Sequence, residues 1–538
     1  MRQMKEILPD GEFEAFCKTY GEPAVRGVRW NRLKVAPGMD GCHSGMMEFY
    51  SGTAGSCRGD RPRSPAGLHC AMPGRPQAAP TTPIPWCADG YIYPDTLRPA
   101  KSIFYHAGLF YIQEPSAMCP VEVLRPEPGH FVLDLCAAPG GKSAQIAGHL
   151  PGLLVSNDAS PSRSRALVNN LERMGVTNAV VTTELPKKLA DRFPGFFDRI
   201  LVDAPCSGEG MFRRDPDAVK AYTANKPEAC VEMQTEILRY AARMLKPGGR
   251  LVYSTCTFNI MENEGVITAF LDTNKNFAVM PIDHAGLGIS QGLGELPQTG
   301  RIFPHLVNGE GHFIALLEKA GDDTNNVGAA SGRPEYMGGQ YRNQLVSDRH
   351  QLTFDFRRTK QPAQLHRRGR WQSSRPNVDY TDNQADYHPP LQHNTSPTPK
   401  EFAEFCNGYI IDADFTEGHI VTHGANLYLQ PEPLDLRGLR VARSGWPLGK
   451  CAKGRFVPSH ALAMGLRKEN FRHAVNLSEK NALRYLRGES LDASGMFESK
   501  LEAAKPWIMV CYENFPLGWA RLVQGRLKNN LPVGLVVQ

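Results

Sequence analysis

The sequence predicts an α/β protein built on a doubly wound parallel sheet, with a small α/β domain before it and small basic β-rich domains after it. Three observations carry this. Short apolar runs, most ending on an acid or followed closely by a cysteine, at 131–134, 153–158, 179–184, 197–203 and 250–257, alternate with stretches of helical spacing, as in successive βαβ units. The first run turns through small residues and Gly140-Gly141 into a helix, and an acid, Asp158, follows about twenty residues on. On both flanks the periodicity breaks into Gly-, Pro- and Ser-rich stretches, which marks domain edges.

In chain order, Ile7, Phe13, Phe16 and Cys17 fall at helical spacing within 4–20, and residues 28–34 read as a short basic strand. Residues 36–83 lose all periodicity and read as a loop-like insertion in a domain spanning 1–120. Cys42, Cys57, Cys70 and Cys87 are separated by fourteen, twelve and sixteen residues with no CxxC pair, so no metal site is expected. The aromatic stretches at 85–91 and 108–117 have a size and spacing that favour core packing over base stacking.

The main domain is expected over 121–320. Strands at 131–134, 153–158, 179–184 and 197–203 alternate with helices, the first from about Lys142 to Leu150. A helix from Val231 to Leu245 stops at Lys246-Pro247-Gly248-Gly249; strand 250–257, a helix at 266–271 and strand 312–317 close the sheet. The turn at 136–142 lets a backbone approach a ligand at a helix start, which suits a mononucleotide-like cofactor. Gly141-Lys142-Ser143 lacks the remaining glycine and length of a phosphate loop, so ATP is disfavoured. Asp158 stands where such folds hold ribose hydroxyls, or it caps the helix that follows.

The chemistry concentrates at two strand ends. Ile200-Leu201-Val202 delivers Asp203 and then Cys206; Leu251-Val252-Tyr253 delivers Cys256. If these strands are neighbours, two thiols and a carboxylate share one cleft, at the edge where α/β enzymes keep their chemistry.

These residues carry a resemblance. Asp134-Leu135-Cys136-Ala137-Ala138-Pro139-Gly140-Gly141-Lys142, Asp203-Ala204-Pro205-Cys206-Ser207-Gly208-Glu209-Gly210 and the run from Ser254 to Glu264 resemble three motifs of the S-adenosylmethionine-dependent RNA cytosine-C5 methyltransferases, the NSUN/Fmu family. Met211-Phe212-Arg213-Arg214-Asp215-Pro216 and the tail resemble its bacterial RsmF-type ribosomal RNA branch. The resemblance implies a Rossmann-like methyltransferase domain flanked by small RNA-binding domains, the last a PUA-like β-barrel. It implies Cys256 as nucleophile, Cys206 as the residue aiding product release, and Asp203 as the acid or hydrogen-bonding group at cytosine N3. DNA cytosine methyltransferases, whose attacking thiol follows a proline, would instead nominate Cys206. For the cofactor it implies Cys136, Ala137, Ala138, Pro139, Gly140, Gly141 and Lys142 around the methionine part, Asp158 at the ribose and Asp203 as a further contact. Glu184 is the nearest acid where the family places an adenine-side contact.

Residues 321–399 read as a low-complexity linker whose basic clusters, Arg357 to Lys360 and His366 to Trp371, either touch RNA phosphates or are simply solvated. Basic residues interleaved with glycine and aromatics mark 400–475 and 476–538 as two further domains. A net charge of +6 fits a polyanionic partner without requiring one. Thirteen cysteines, no charged-then-apolar leader and no membrane-length apolar run predict a cytoplasmic chain, expected as a monomer. The expected reaction is methylation of cytosine C5 in small-subunit (16S) ribosomal RNA, on naked RNA or an assembled subunit. A transfer RNA or DNA cytosine methyltransferase and a non-catalytic RNA-binding assembly factor remain as alternatives.

Overall fold

The computed structural model describes residues 2–35, 81–223, 226–321, 398–497 apart from 412, 414, 416 and 417, and 506–537. The expected insertion up to residue 80, with Cys42, Cys57 and Cys70, and the expected linker from 322 to 397, with both basic clusters, lie outside the described residues. Among the described residues no helix is long and apolar enough to cross a membrane.

Helices Arg2–Ile7 and Asp10–Thr19 replace the single helical stretch expected at 4–20, because Pro9 supplies no backbone donor and starts the second helix. Strands β1 (Gly27–Trp30), β2 (Thr82–Ile84), β3 (Cys87–Ile92) and β4 (Phe110–Ile112) form an antiparallel sheet in the order β2-β3-β1-β4. The strand expected at 28–34 ends early. Asn31 turns inward, its amide donating to the carbonyls of Gly108 and Met174, and the chain folds back on it.

The central sheet follows from β5 (Phe131–Asp134), β6 (Leu153–Asn157), β7 (Ala179–Thr182), β8 (Phe197–Asp203) and β9 (Leu245–Thr255), all parallel in the order β7-β6-β5-β8-β9. The order reverses at β5. A crevice therefore opens at the carboxyl ends of β5 and β8, the place where a doubly wound sheet binds ligands. Of the remaining strands, β10 (Phe277–Met280), β11 (Ser290–Gln291), β12 (Gly300–Ile302) and β13 (His312–Lys319), β13 runs antiparallel beside β9. Both faces are covered by apolar cores, which explains why these strands are almost continuously hydrophobic.

Element boundaries in this domain also differ from the sequence reading. The long helix covers Lys226–Met244, and Lys246-Pro247-Gly248-Gly249 is a bulge inside β9, since register shifts between Phe197↔Leu245 and Arg199↔Arg250. The helix after the glycine turn runs Gly141–Ala147, short of Leu150.

The C-terminal part contains β14 (His419–His423), β15 (Asn426–Gln430), β16 (Val441–Ser444), β17 (Trp446–Ala452) and β18 (Arg455–Pro458). β14, β15, β17 and β18 form their own sheet, whereas β16 crosses to the central sheet and lies antiparallel on the free edge of β7. Strands β19 (Ala474–Asn476), β20 (Leu491–Asp492), β21 (Trp507–Tyr512), β22 (Phe515–Val523) and β23 (Arg526–Asn529) make a last sheet, ordered β19-β21-β22-β23-β20. This sheet shares a core with the N-terminal one. Phe104 meets Tyr512 at 5.3 Å between ring centroids, beside Trp30, Phe110, Val510 and Leu517. The aromatic stretches near 85–117 are buried, as their composition suggests.

Candidate active site

On the cofactor side, β5 ends at Asp134 and the chain passes through Cys136 to Gly140 into helix Gly141–Ala147. Gly140 has φ +109°, and a Cβ there would sit 3.0 Å from Leu167, so only glycine fits this turn. The loop is tied to β6: Ala137 N–H donates to the Asn157 carbonyl, and Ala138 N–H lies 3.3 Å from Asp158 Oδ2. Asp158 also accepts from Ser160 N–H and faces Arg163 at 3.4 Å, so it braces the loop from inside the crevice. Burial pushes the Cys136 thiol up, which leaves it a packing residue.

Asp134 is fully buried. Its Oδ2 accepts from Ser143 at 2.6 Å, while Oδ1 has no partner among the described residues. Burial pushes this carboxyl up to about 7. A buried oxygen left open at the switch point suits a positively charged ligand, and S-adenosylmethionine carries both a sulfonium and an ammonium.

The adjoining strand ends hold the reactive groups. Asp203 terminates β8; its Oδ2 accepts from Lys142 Nζ at 2.8 Å and its Oδ1 from Ser254 Oγ at 2.8 Å, with His312 Nε2 at 3.4 Å. Burial opposes ionisation of Asp203, but Lys142 and His312 outweigh it and hold the carboxyl well below the usual range. The resemblance expects Asp203 as an acid or hydrogen-bonding group at cytosine N3; in the folded chain Lys142 and His312 hold its carboxyl on the ionised side. Lys142 likewise stays a cation, its burial overcome by Asp203, and its field reaches Cys256.

Cys206 Sγ and Cys256 Sγ stand 3.3 Å apart. Contact with the Cys256 sulfur, then burial, pushes the Cys206 thiol well up, and either sulfur can donate to the other. Two crossed carboxylates fix the pair. Glu209, on the Cys206 side, accepts from Thr257 Oγ1 and Phe258 N–H beyond Cys256. Glu262, beyond Cys256, accepts in return from Ser207 N–H at 2.9 Å and from Gln234, which also holds the Pro205 carbonyl. Ser207 and Thr257 close the crossing at 2.7 Å. Gly210 N–H donates to the Cys256 carbonyl at 2.9 Å, so close that a Cβ at 210 would meet that oxygen at 2.8 Å.

Of the residues expected from sequence, Lys142, Asp203, Cys206 and Cys256 meet in one cleft, and the 136–141 loop with Asp158 borders it. Glu184 does not join them. Its carboxylate pairs with Lys188 at 2.8 Å and accepts from Arg440 N–H at 2.6 Å, so it anchors the segment leading into β16. Sequence reasoning missed Asp134 and His312 as site residues. Asp134 was readable as an acid ending the first strand, like Asp203; His312 lies more than a hundred residues from Asp203, and nothing local in the chain links them.

The chain is similar to known proteins along its length. The sequence matches the family described as 16S rRNA methyltransferase RsmB/F over residues 121–318. It matches the N-terminal domain of 16S rRNA methyltransferase RsmF over 68–115, the RsmF rRNA methyltransferase first C-terminal domain over 404–466, and the methyltransferase RsmF PUA domain over 472–537. A ribosomal RNA small subunit methyltransferase F from Erwinia tasmaniensis is 29% identical over 100% of this chain and 96% of its own length. One from Shewanella amazonensis is 31% identical over 84% of this chain and 85% of its own. Among solved structures, a methyltransferase homolog protein from Pyrococcus horikoshii is 27% identical, covering 57% of this chain and 90% of that one with a TM-score of 0.45. The chain belongs to the ribosomal RNA small subunit methyltransferase F family, within the RsmB/F methyltransferases.

Proposed function

We propose that this protein methylates C5 of a cytosine in small-subunit ribosomal RNA, using S-adenosylmethionine and a transient bond between Cys256 and C6 of the base. The observation that carries this reading is the Cys206–Cys256 contact of 3.3 Å beside Asp203 and Lys142 at the mouth of the crevice. Cytosine C5 is too weak a nucleophile to take a methyl group unaided, so a thiolate must first add to C6 and push electron density onto C5 and N3.

When bound, S-adenosylmethionine supplies an electrophilic methyl on sulfur; the loop from Cys136 to Lys142, the open Asp134 oxygen, Asp158 and Asp203 are the groups placed to hold it. Lys142, 2.8 Å from Asp203, places a positive charge in the same cleft as the Cys256 sulfur. Asp203, as an acceptor, takes the exocyclic amino group of the base and so fixes the ring's orientation. After transfer the C5 proton leaves to a base, the S–C6 bond breaks, and the electron pair returns to Cys256. The Cys206 S–H, aimed at that sulfur, steadies the departing thiolate. The cytosine must leave its stack to reach this cleft, and the flanking domains supply the surface that grips the surrounding RNA.

Cys256→Ala should lower methylation by at least about 1,000-fold and form no covalent RNA adduct. Cys206→Ala should accumulate an adduct that survives denaturing gels. Bisulfite sequencing of ribosomal RNA from cells with and without the gene identifies the base. The reverse pattern of trapping would move the nucleophile to Cys206, and an unchanged rate in Cys256→Ala would end the reading.

A further inference from the structure

His312 opens β13 and is buried. Phe313 pairs with Thr255 and Ile314 with Ser254, so His312 stands at the level of Cys256, and its ring reaches past Ser254 to Asp203. Nε2 lies 3.4 Å from Asp203 Oδ1 and Nδ1 lies 3.1 Å from the Gly311 carbonyl oxygen. Both ring nitrogens face acceptors, so in the tautomer protonated at Nε2 the imidazole donates to Asp203.

The segment before it is built to hold that ring still. Gly311 has φ +132°, and a Cβ there would lie 2.3 Å from the Phe258 ring, itself packed between Phe16 and Phe303. Glu310 N–H donates to Glu114, and the Glu310 carboxylate meets Arg213 at 2.8 Å. Gly311 and Glu310 thus fix the backbone that places the imidazole. The reason lies in the aspartate. The terminal torsion of an Asp side chain is broad and two-fold, so a single donor leaves the carboxylate free to turn. Lys142 holds only Oδ2, and on Oδ1 the Ser254 hydroxyl is a rotor.

We propose that His312 is a positioning residue for the methyl transfer: by donating to Oδ1 of Asp203 it locks the carboxylate plane, so that the base docks with C6 over the Cys256 sulfur. The inference rests on the reaction proposed above. His312 acts through Asp203 and need not touch the base.

The test compares the full-length protein with its His312→Phe and His312→Gln variants, using S-adenosylmethionine and small-subunit ribosomal RNA. Phe fills the space without a donor, whereas the Gln amide reaches the position of Nε2. His312→Phe should lower kcat about 30-fold while KM for RNA and for S-adenosylmethionine stays within about threefold, because orientation rather than binding is lost. His312→Gln should return to within about fivefold of the parent. A Phe variant within threefold of the parent, or a folded Gln variant as slow as Phe, would overturn the proposal. A second measurement holds if the Phe variant does not fold: in a Cys206→Ala chain, His312→Gln should build trapped adduct at the parental rate, and His312→Asn, whose amide falls short of Asp203, more slowly. Equal rates for Gln and Asn overturn it as well. Cys256→Ala run alongside separates the failures: if it still methylates, the reaction is wrong; if it is dead while the His312 variants behave as the parent, only the role of His312 is wrong.

Discussion

The reactive cleft and the junction between the N-terminal sheet and the C-terminal domains both bury ionisable groups, and they treat charge in opposite ways. In the cleft, Asp203 is matched by Lys142, Ser254 and His312, and the ion pair is kept. At the junction, Lys34 donates to the Ala107 carbonyl at 2.6 Å, with the Arg173 guanidinium nearby. Burial first, and Arg173 second, push Lys34 down to about 7. His460, in the same region, is pushed by burial to about 4, with Nδ1 unpartnered among the described residues. The difference shows where charge is needed. Desolvation neutralises a buried group that merely packs, and only a paired set of charges keeps one available for chemistry.

The largest effect in breaking this contrast should come from Asp203→Asn. It leaves Lys142 buried without its counter-charge and removes the acceptor for the base, so kcat should fall by about 100-fold or more. Methyl-transfer kinetics on ribosomal RNA check this, and a loss below tenfold would mean the carboxylate does not face the substrate.

A smaller loss is expected from Glu262→Gln. Burial raises the Glu262 carboxyl, partly offset by the bonds from Ser207 and Gln234. The uncharged amide still accepts at Ser207 N–H but more weakly, so the Cys206 loop should loosen and kcat drop about tenfold while the thermal midpoint changes little. A fall in the thermal midpoint that accounts for the whole loss would assign Glu262 to stability alone.

The junction gives the smallest effect, seen only in stability. Because Lys34 sits below its unfolded value of 10.5, the unfolded chain binds more protons between pH 7 and 10.5, and folding is opposed most at and below pH 7. Stability contributed by this site should rise from pH 7 toward pH 10. Thermal melts across that range should show a slope that Lys34→Met flattens, with methylation at neutral pH unchanged. An equal slope in the variant would mean that Lys34 keeps its charge when folded.

The parallel strands were legible because each is an apolar run bounded by a turn signal, and burial on both faces demands that pattern. The boundary at Lys246-Pro247-Gly248-Gly249 was not. Those residues stop helices and also form bulges, and only pairing with β8 distinguishes the two. At the site, Cys256, Cys206, Asp203 and the 136–142 loop could be named from local motifs. Proximity in sequence to a strand end could not show what approaches Glu184 from outside, here Arg440 from the segment before β16.

The sequence alone determined which residues end the strands, since alternation of apolar runs and breakers is a local property of the chain. It thereby determined that Asp203, Cys206 and Cys256 would follow strand ends; that those strands are neighbours, so that the two sulfurs meet, was decided by the fold. What charge each group carries, and which way it turns, was decided only by the folded chain. Electrostatic fields and hydrogen bonds act through space: Asp203 is held ionised because Lys142 and His312, sixty-one residues before it and a hundred and nine after it, close on the same two oxygen atoms.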